Sequence, residues 1–323
     1  MLKKIYLVFF ILLIFNSLKS QQRDTLIKIS SNENSGFNYP YFLYIPKVID
    51  EKAVLLVAPN NTGTVNDTLK VHEDEALDLA TKYKIGYRLA KELKIPLLVP
   101  VFPRPLSQWK IYTHALDRDA MVLDSGKMKR IDLQLISMIN DARKKLDSLG
   151  IHTQEKVFLN GFSASGTFVN RFTLLHPEYV KAVASGGVNG ICILPLKKYK
   201  WKKLKYPIGI ADYEKILNHK FEIEIYKSVP QYIYMGEKDN NDATLFKDSY
   251  SPEESNLIYK VIGKKMMPDR FIACESFYKK ANINAEFKVY TGLSHEVDKQ
   301  IFNDLCIFFN KFKNNITLKD KNN

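Results

Sequence analysis

One short segment of the chain combines small residues with a serine that could act as a nucleophile. Residues 161–166 read GFSASG; they follow a buried apolar run and precede a helical pattern. A tight strand-to-helix turn lifts a serine side chain above the end of the strand and points the helix N-terminus at it. Such a turn needs small residues two positions before and after its apex, where Gly161 and Ser165 flank Ser163. The segment therefore predicts that Ser163 is a catalytic nucleophile.

Two other interpretations of this segment stay open. Ser165 stands where glycine is commoner, and it could be the nucleophile itself, but β-branched Thr167 would then occupy a position that needs a small residue. The segment could also be the small-residue start of a helix packed on a strand. The order of elements, with a strand before and a helix after, favours Ser163 as the nucleophile.

A serine nucleophile needs a base, and His295 is the strongest candidate among the six histidines. It lies in GLSHEV, after the last predicted strand and before the last helix. A loop residue there can reach a serine above the carboxyl edge of a sheet. His114 precedes the nucleophile, and His176 ends a helix before a proline and is interpreted as structural. The other three have polar, loop-like surroundings without a partner pattern: His72, His152 and His219.

The acid that orients the base is expected after another strand. Asp239 lies three residues beyond Gly236 in YMGEKD, a spacing that turns the chain and points the carboxylate back. Asp242 is the alternative, and Asp239 could instead be a turn residue that bonds its own backbone. The chain order Ser163, Asp239, His295 is the one expected of a single fold family.

The developing oxyanion needs two hydrogen-bond donors. The backbone N–H of Ala164, directly after the nucleophile, is the first candidate. The second should come from the loop after the third predicted strand, APNNTG, where Asn61 or Thr62 is suitably placed and Gly63 lets the loop approach closely. An ordinary polar turn is the alternative for this loop.

The elements that must position these residues alternate between strands and helices. Helical three- and four-residue spacing is clearest at 131–146 and 301–312, whereas the first two predicted strands lack a helix between them. The central strands are continuous apolar runs, which is typical of strands buried on both faces of a parallel sheet. We expect an α/β fold with a mostly parallel sheet of about eight strands and helices on both faces. The predicted strands are 26–30, 41–46, 53–59, 95–101, 156–160, 180–185, 231–236 and 285–292.

Two long segments interrupt this alternation, at about 188–229 and 242–282. Long insertions between sheet elements are usually caps or lids, so we expect the first to be a cap. It contains Tyr199 and Trp201 among lysines, and we interpret both as candidate lid residues that contact substrate. Two alternatives are nucleic-acid binding by stacking and phosphate pairing, and an amphipathic cap with solvated lysines.

Composition and charge argue against several other classes of protein. The chain has 323 residues, 46% of them hydrophobic, and a formal net charge of +13, with lysines that are scattered rather than clustered. We therefore expect no nucleic-acid partner. Cys192, Cys274 and Cys306 lie far apart, without metal-ligand spacing or the pattern of a disulfide framework. No metal or cofactor is expected.

The N-terminus has the layout of a secretory signal peptide. Lys3 and Lys4 precede an apolar run at 5–15, which is short for a membrane-spanning helix. We expect a signal peptide at 1–20, a single domain at 21–323, and a secreted or periplasmic protein without a stable membrane anchor. An uncleaved anchor is the alternative.

Taken together, GFSASG, GEKD, GLSHEV and PNNTG resemble the α/β-hydrolase superfamily over nearly all of the chain after the signal segment. Within it, the chain looks most like secreted esterases of the polyhydroxybutyrate-depolymerase and feruloyl-esterase type. It lacks a His-Gly-Gly-Gly loop, so the oxyanion contribution would rest on different residues. The resemblance implies a serine hydrolase that cleaves small-molecule or polymeric carboxylic esters through an acyl-enzyme. The alternatives are a peptidase on the same scaffold and a catalytically silent binding protein.

Overall fold

An eight-stranded sheet is the centre of the computed structural model, which describes residues 23–313 apart from 52, 62, 64 and 83. The predicted signal peptide and the oxyanion candidate Thr62 lie outside the described residues. The strands of the sheet are β1 (Thr25–Ile29), β2 (Tyr41–Ile45), β3 (Leu56–Val57), β4 (Leu97–Pro100), β5 (Val157–Phe162), β6 (Val180–Gly186), β9 (Gln231–Gly236) and β10 (Ala285–Tyr290).

The spatial order of the strands is β1-β2-β4-β3-β5-β6-β9-β10. Strand β2 runs antiparallel to both of its neighbours, and the other pairs are parallel. The first two strands follow each other without an α-helix, which permits their antiparallel pairing, whereas parallel neighbours need a crossover connection. The predicted mostly parallel sheet is confirmed.

Side chains of successive strand residues enter two separate apolar cores. In β2, Leu43 and Ile45 belong to one core, while Phe42 and Tyr44 belong to the other. All five residues of this strand are buried, as expected for strands covered on both faces. The continuous apolar runs therefore mark the positions of the central strands, although the run at 53–59 contributes only the two residues of β3.

Helices cover both faces of the sheet. One face carries α1 (Leu69–Thr81), α2 (Ile85–Leu93) and α10 (Lys299–Lys313). The other carries the longest helix, α4 (Ile131–Ser148), together with α5 (Ala164–Leu175), which begins directly after the predicted nucleophile. A short helix, α3 (Arg118–Val122), precedes α4. Within the described residues, no helix combines the length and apolar character that crossing a bilayer would require.

The two predicted insertions carry small elements of their own. The first contains the hairpin β7 (Lys198–Tyr199) and β8 (Lys202–Lys203), followed by α6 (Tyr213–Leu217) and α7 (Ile223–Ser228). The second contains α8 (Pro252–Val261) and α9 (Phe271–Lys280). A capping box at Ser251 and Glu254 starts α8, and Arg270 joins the two insertions by donating from Nε to Gly190 O at 2.9 Å. The second insertion thereby lies against the loop that follows β6.

Candidate active site

Ser163 lies at a sharp turn between β5 and α5. Its backbone has φ 65° and ψ −131°, a combination that residues with a side chain rarely adopt. Such a conformation costs roughly 1–3 kcal/mol and persists where surrounding contacts enforce it. Two contacts hold this turn: Ser163 N–H donates to Gly186 O on β6, and Thr167 N–H donates to Ser163 O. The strained backbone is the geometry expected of a nucleophile turn.

The residues that flank Ser163 show why they must be small. A Cβ on Gly161 would lie 2.1 Å from the backbone oxygen of Ser165, and one on Gly166 would lie 2.1 Å from the backbone oxygen of Gly186. Ser165, where glycine is commoner, fits because its Oγ accepts from Phe162 N–H at 3.0 Å and donates to Phe162 O at 2.8 Å. The Ser165 side chain therefore stabilises the turn through two hydrogen bonds to the backbone of Phe162.

The structure brings His295 and Asp239 together, as the sequence predicts. His295 Nδ1 lies 2.8 Å from Asp239 Oδ2, and the Asp239 side chain is 1% exposed. Asp239 Oδ1 also accepts from Asn241 N–H at 3.0 Å, which fixes the carboxylate. The alternative acid, Asp242, instead forms an ion pair with Arg270 and accepts from Thr244 N–H. Asp239 is therefore the carboxylate placed to orient the histidine.

The other nitrogen of His295 faces an amide. Nε2 lies 3.0 Å from Asn241 Nδ2. With Nδ1–H donated to Asp239, Nε2 is the acceptor, which is the tautomer that a general base requires. Asn241 and Ser163 line the same cavity, and among the described residues Ser163 Oγ has no hydrogen-bond partner. The acceptor nitrogen is thus occupied by Asn241 in this arrangement, and not by the nucleophile.

Two of the predicted oxyanion donors, Ala164 and Asn61, line the same cavity as Ser163. Ala164 is the first residue of α5, so its N–H has no intrahelical acceptor and lies at the positive end of the helix dipole. Asn61 lines the same cavity, and its Nδ2 donates to Phe162 O at 3.3 Å. Asn60 anchors the loop, because its side chain exchanges two hydrogen bonds with the backbone of Phe102, at 2.9 and 3.0 Å.

A cavity of about 280 Å³ opens beside Ser163, and much of its wall was missed by the sequence analysis. Arg104 and Asp248 form an ion pair of 2.5 Å there, and Arg171 on α5 donates from Nη2 to Tyr250 Oη at 2.8 Å. These residues come from three distant segments. Arg104 comes four residues after the end of β4. This position near the carboxyl end of a strand is the signal in the sequence that could have identified it.

Other residues singled out in the sequence lie away from this cavity. Trp201, in the turn of the β7–β8 hairpin, is 82% exposed, and Tyr199 packs edge-on against Phe277 at 4.7 Å between ring centroids. Neither lines the cavity. The polar, loop-like surroundings expected for His72 are incorrect, because His72 is buried on α1 with Nε2 2.9 Å from Asn66 O. His176 is structural as expected: it ends α5, buried against Asp132 at 2.8 Å.

No family model matches the chain, and no curated protein matches its sequence. Solved structures do match. A poly(aspartic acid) hydrolase from Sphingomonas sp. KT-1 is 16% identical with a TM-score of 0.57, covering 88% of this chain and 97% of its own. A poly(3-hydroxybutyrate) depolymerase from Bordetella parapertussis is 15% identical with a TM-score of 0.53, covering 92% of each chain. An S-formylglutathione hydrolase from Agrobacterium tumefaciens is 14% identical with a TM-score of 0.50, covering 92% of this chain and 96% of its own.

These likenesses confirm the fold predicted from the sequence. The strand order, the single antiparallel strand β2 within the row of parallel strands and the helices on both faces are those of the α/β-hydrolase fold. Identities of 14–16% establish the fold, and fold by itself does not specify a reaction.

Proposed function

We propose that this chain is a serine hydrolase that cleaves carboxylic esters through an acyl-enzyme. The observation that carries the proposal is geometric. Ser163, in a strained strand-to-helix turn, and Asn241 line one cavity. Asn241 contacts His295, which packs on the ring of Phe162 at 4.7 Å between centroids and is held 2.8 Å from buried Asp239. The names of two similar structures, a poly(3-hydroxybutyrate) depolymerase and an S-formylglutathione hydrolase, support acyl transfer as the reaction class.

In this mechanism, Ser163 Oγ attacks the ester carbonyl carbon while His295 Nε2 takes the hydroxyl proton. Asn241 releases Nε2 when the serine hydroxyl engages it. Asp239 holds Nδ1–H and stabilises the imidazolium. The carbonyl oxygen becomes an oxyanion, which the N–H of Ala164 and a donor from Asn61 or Thr62 stabilise.

Collapse of this intermediate breaks the bond to the alcohol and leaves the acyl group on Ser163. The proton on Nε2 passes to the departing alkoxide. Water then attacks the acyl carbon and gives one proton to Nε2. The bond between that carbon and Ser163 Oγ breaks, Oγ takes the proton back from Nε2, and the carboxylic acid leaves, so that serine and histidine return to their starting forms. The substrate is a small-molecule or polymeric ester. The N-terminal pattern at residues 1–20 supports a secreted or periplasmic location.

The test is the Ser163→Ala variant, assayed on an aryl ester and with a fluorophosphonate probe. We expect kcat to fall by at least about a thousandfold and labelling to disappear, with the circular dichroism spectrum unchanged. Ser125→Ala is the matched control, because Ser125 is exposed and bonds only its neighbour Asp124. Ester hydrolysis that survives in the Ser163 variant would refute the assignment, and a wild-type protein that neither hydrolyses nor labels would favour a silent binding protein.

Amide hydrolysis is the second candidate, because one of the similar structures is named a poly(aspartic acid) hydrolase. Acyl transfer from an amide uses the same nucleophile, base and oxyanion donors. Paired assays on an aryl ester and an aminoacyl anilide separate the two. We expect the ester to be the better substrate, and a larger kcat/KM for the anilide would make the chain a peptidase.

A further inference from the structure

Arg171 gives the candidate active site a buried positive charge. It lies on α5 eight residues after Ser163, and Thr167 lies halfway between them. Residues four apart share one face of a helix. All three line the same cavity. With a rise of 1.5 Å per residue, Arg171 Cα lies about 12 Å along the helix from Ser163 Cα, and helical side chains lean back toward the N-terminus. The guanidinium is thus within reach of a molecule bound at Ser163.

The hydrogen-bond partners of this guanidinium are all neutral. Nη1 donates to Ala115 O at 2.9 Å and to Leu116 O at 3.4 Å, and Nη2 donates to Tyr250 Oη. Nε is buried without a hydrogen-bond partner, although the whole residue is 1% exposed. Within the described chain, no carboxylate lies at ion-pair distance from it. Burying a charge without a counter-charge costs free energy. The presence of Arg171 in this cavity is therefore better explained by a ligand than by stability.

The other arginines near the cavity and the insertions are paired with carboxylates. Arg104 pairs with Asp248 at 2.5 Å, Arg118 pairs with Asp212 at 2.7 Å, and Arg270 pairs with Asp242. The cavity wall therefore contains two arginines and one aspartate, and that aspartate already serves Arg104. This leaves one positive charge in excess.

The nearby acidic groups offset this excess only in part. Asp117 and Glu254 influence Arg171 only from beyond contact distance. Burial raises the pKa of Asp117 to about 8, so this carboxyl carries less than a full negative charge at neutral pH. Burial also raises the pKa of Glu254. The N-terminus of α5, which opens into the same cavity, adds positive potential.

We propose that the ester cleaved at Ser163 carries a carboxylate, and that Arg171 binds this carboxylate in the cavity. The inference rests on the proposed hydrolase function and narrows its substrate class to esters with a free acid group on the acyl or the alcohol side. One cation fits one singly charged anion, and the planar guanidinium matches the geometry of a carboxylate. Tyr250, whose hydroxyl already binds the guanidinium, holds Arg171 in place for this contact.

Two matched ester pairs test this on the wild-type protein. The first pair is p-nitrophenyl hydrogen adipate and methyl p-nitrophenyl adipate, with the charge on the acyl side. The second is p-acetoxybenzoate and p-acetoxybenzamide, with the charge on the alcohol side. We expect kcat/KM to favour the acid in at least one pair by about ten- to a hundredfold, the range of a hydrogen bond to a charged group. Inhibition by adipate, and not by neutral adipamide, is expected as well.

Variants assign the preference to one residue. Arg171→Gln should bring the ratio of the preferred pair close to one, while Arg171→Lys should keep part of it. The control Arg118→Gln removes an equal charge that is already paired with Asp212, and should leave the ratio unchanged. If Arg171→Gln does not fold, the wild-type ratios and the inhibition by adipate still decide the question.

Failure of this inference is distinct from failure of the proposed function. Ratios near one in both pairs, with Ser163-dependent hydrolysis of the neutral esters, would overturn the role of Arg171 and leave the hydrolase standing. A preference that persists in Arg171→Gln would also overturn that role. No Ser163-dependent hydrolysis of any of the four esters would overturn both.

Discussion

Asp239 holds the base of the proposed mechanism through one hydrogen bond, and this bond sets the tautomer. Its Oδ2 accepts from His295 Nδ1 at 2.8 Å, which leaves Nε2 free of a proton. In Asp239→Asn, an amide N–H can face Nδ1 and shift the proton to Nε2, where it prevents base catalysis. We expect kcat to fall by about four orders of magnitude, the loss typical of this change in a Ser-His-Asp protease, measured on the ester that serves for Ser163→Ala.

Asp242→Asn is the matched control for this variant, because Asp242 pairs with Arg270 and has no contact with His295. It should lower stability but leave kcat within about tenfold of wild type, since a partner of a buried ion pair mainly supports the fold. Loss of kcat in Asp242→Asn together with retention in Asp239→Asn would reverse the assignment of the acid.

Asn241 occupies the histidine nitrogen that receives the serine proton in the proposed mechanism. Its Nδ2 lies 3.0 Å from His295 Nε2, and the nucleophile must displace it. A neutral hydrogen bond contributes about 0.5–1.5 kcal/mol, so Asn241→Ala should raise kcat/KM or the rate of fluorophosphonate labelling by up to about tenfold. A decrease of more than tenfold would instead show that the amide takes part in the reaction.

At the scale of the elements, the turn between β5 and α5 depends on Ser165. Its Oγ both accepts from and donates to the backbone of Phe162, at 3.0 and 2.8 Å. Ser165→Ala would leave the Phe162 N–H without this acceptor, at a cost of roughly 1–3 kcal/mol. We expect the free energy of unfolding, measured by urea denaturation, to fall by that amount. We also expect a lower kcat, because the strained Ser163 backbone relaxes.

Gly161→Ala is the informative comparison for the same turn. Its Cβ would lie 2.1 Å from a backbone oxygen, a collision that no side-chain rotation relieves. The destabilisation should therefore exceed that of Ser165→Ala. If Ser165→Ala were as stable and active as wild type, the hydrogen bonds of Ser165 would not be what closes the turn.

The second insertion supplies part of the cavity wall. Asp248 and Tyr250 precede α8 and contact Arg104 and Arg171, two other residues that line the cavity. The sequence indicates that an insertion lies at this place but not which of its side chains face the nucleophile. Those contacts depend on how α8 and α9 pack against the rest of the domain, and local periodicity carries no information about that packing.

At the scale of the whole molecule, buried ionisable groups predict how stability depends on pH. Burial raises the pKa of Asp117 from 3.8 to about 8. The folded state then keeps a proton that the unfolded state loses, so this contribution is complete below pH 3.8 and is lost as pH rises toward 8. We expect the free energy of unfolding to decrease from pH 5 to pH 9, measured by urea denaturation.

Asp117→Asn checks this dependence. Oδ1 of Asp117 accepts from Tyr112 N–H at 3.1 Å and from Ala120 N–H at 2.9 Å, and an asparagine oxygen can keep both bonds. At pH 9, the free energy of unfolding of the variant should exceed that of wild type by at least about 1 kcal/mol, since one pKa unit corresponds to roughly 1.4 kcal/mol. An equal pH slope in both proteins would contradict the prediction.

His176, at the end of α5, also lowers the stability as pH rises above neutral. It pairs with Asp132 on α4. Burial alone would lower the pKa of His176, but hydrogen bonds and charge from Asp132 and Glu178 outweigh it and raise that pKa. Its contribution is present below pH 6.5 and is lost as pH rises through the raised value. Burial alone would raise the pKa of Asp132, but hydrogen bonds from His176 and Arg130 outweigh it and lower that pKa to about 2. The contribution of Asp132 to stability is therefore lost only in strong acid.

The sequence by itself determined the sheet and the position of the turn between β5 and α5, and it predicted Ser163, Asp239 and His295 as a Ser-His-Asp set. Ser163, Asp239 and His295 each follow a strand, and the carboxyl ends of parallel strands meet at one edge of a sheet. Apolar runs and strand order were therefore sufficient to predict that these side chains lie at one edge of the sheet, and the structure places His295 Nδ1 2.8 Å from Asp239 Oδ2.

Only the tertiary structure decided what surrounds that set. Arg104 and Asp248 are separated by 144 residues. Arg171 has no carboxylate at ion-pair distance among the described residues, although α5 buries it fully with its neighbours. Asn241 contacts His295 from the loop after β9. The hairpin that contains Tyr199 and Trp201 lies away from the cavity. The physical reason is that a pattern along the chain records which residues are buried, whereas packing between distant segments selects the partner of each buried charge.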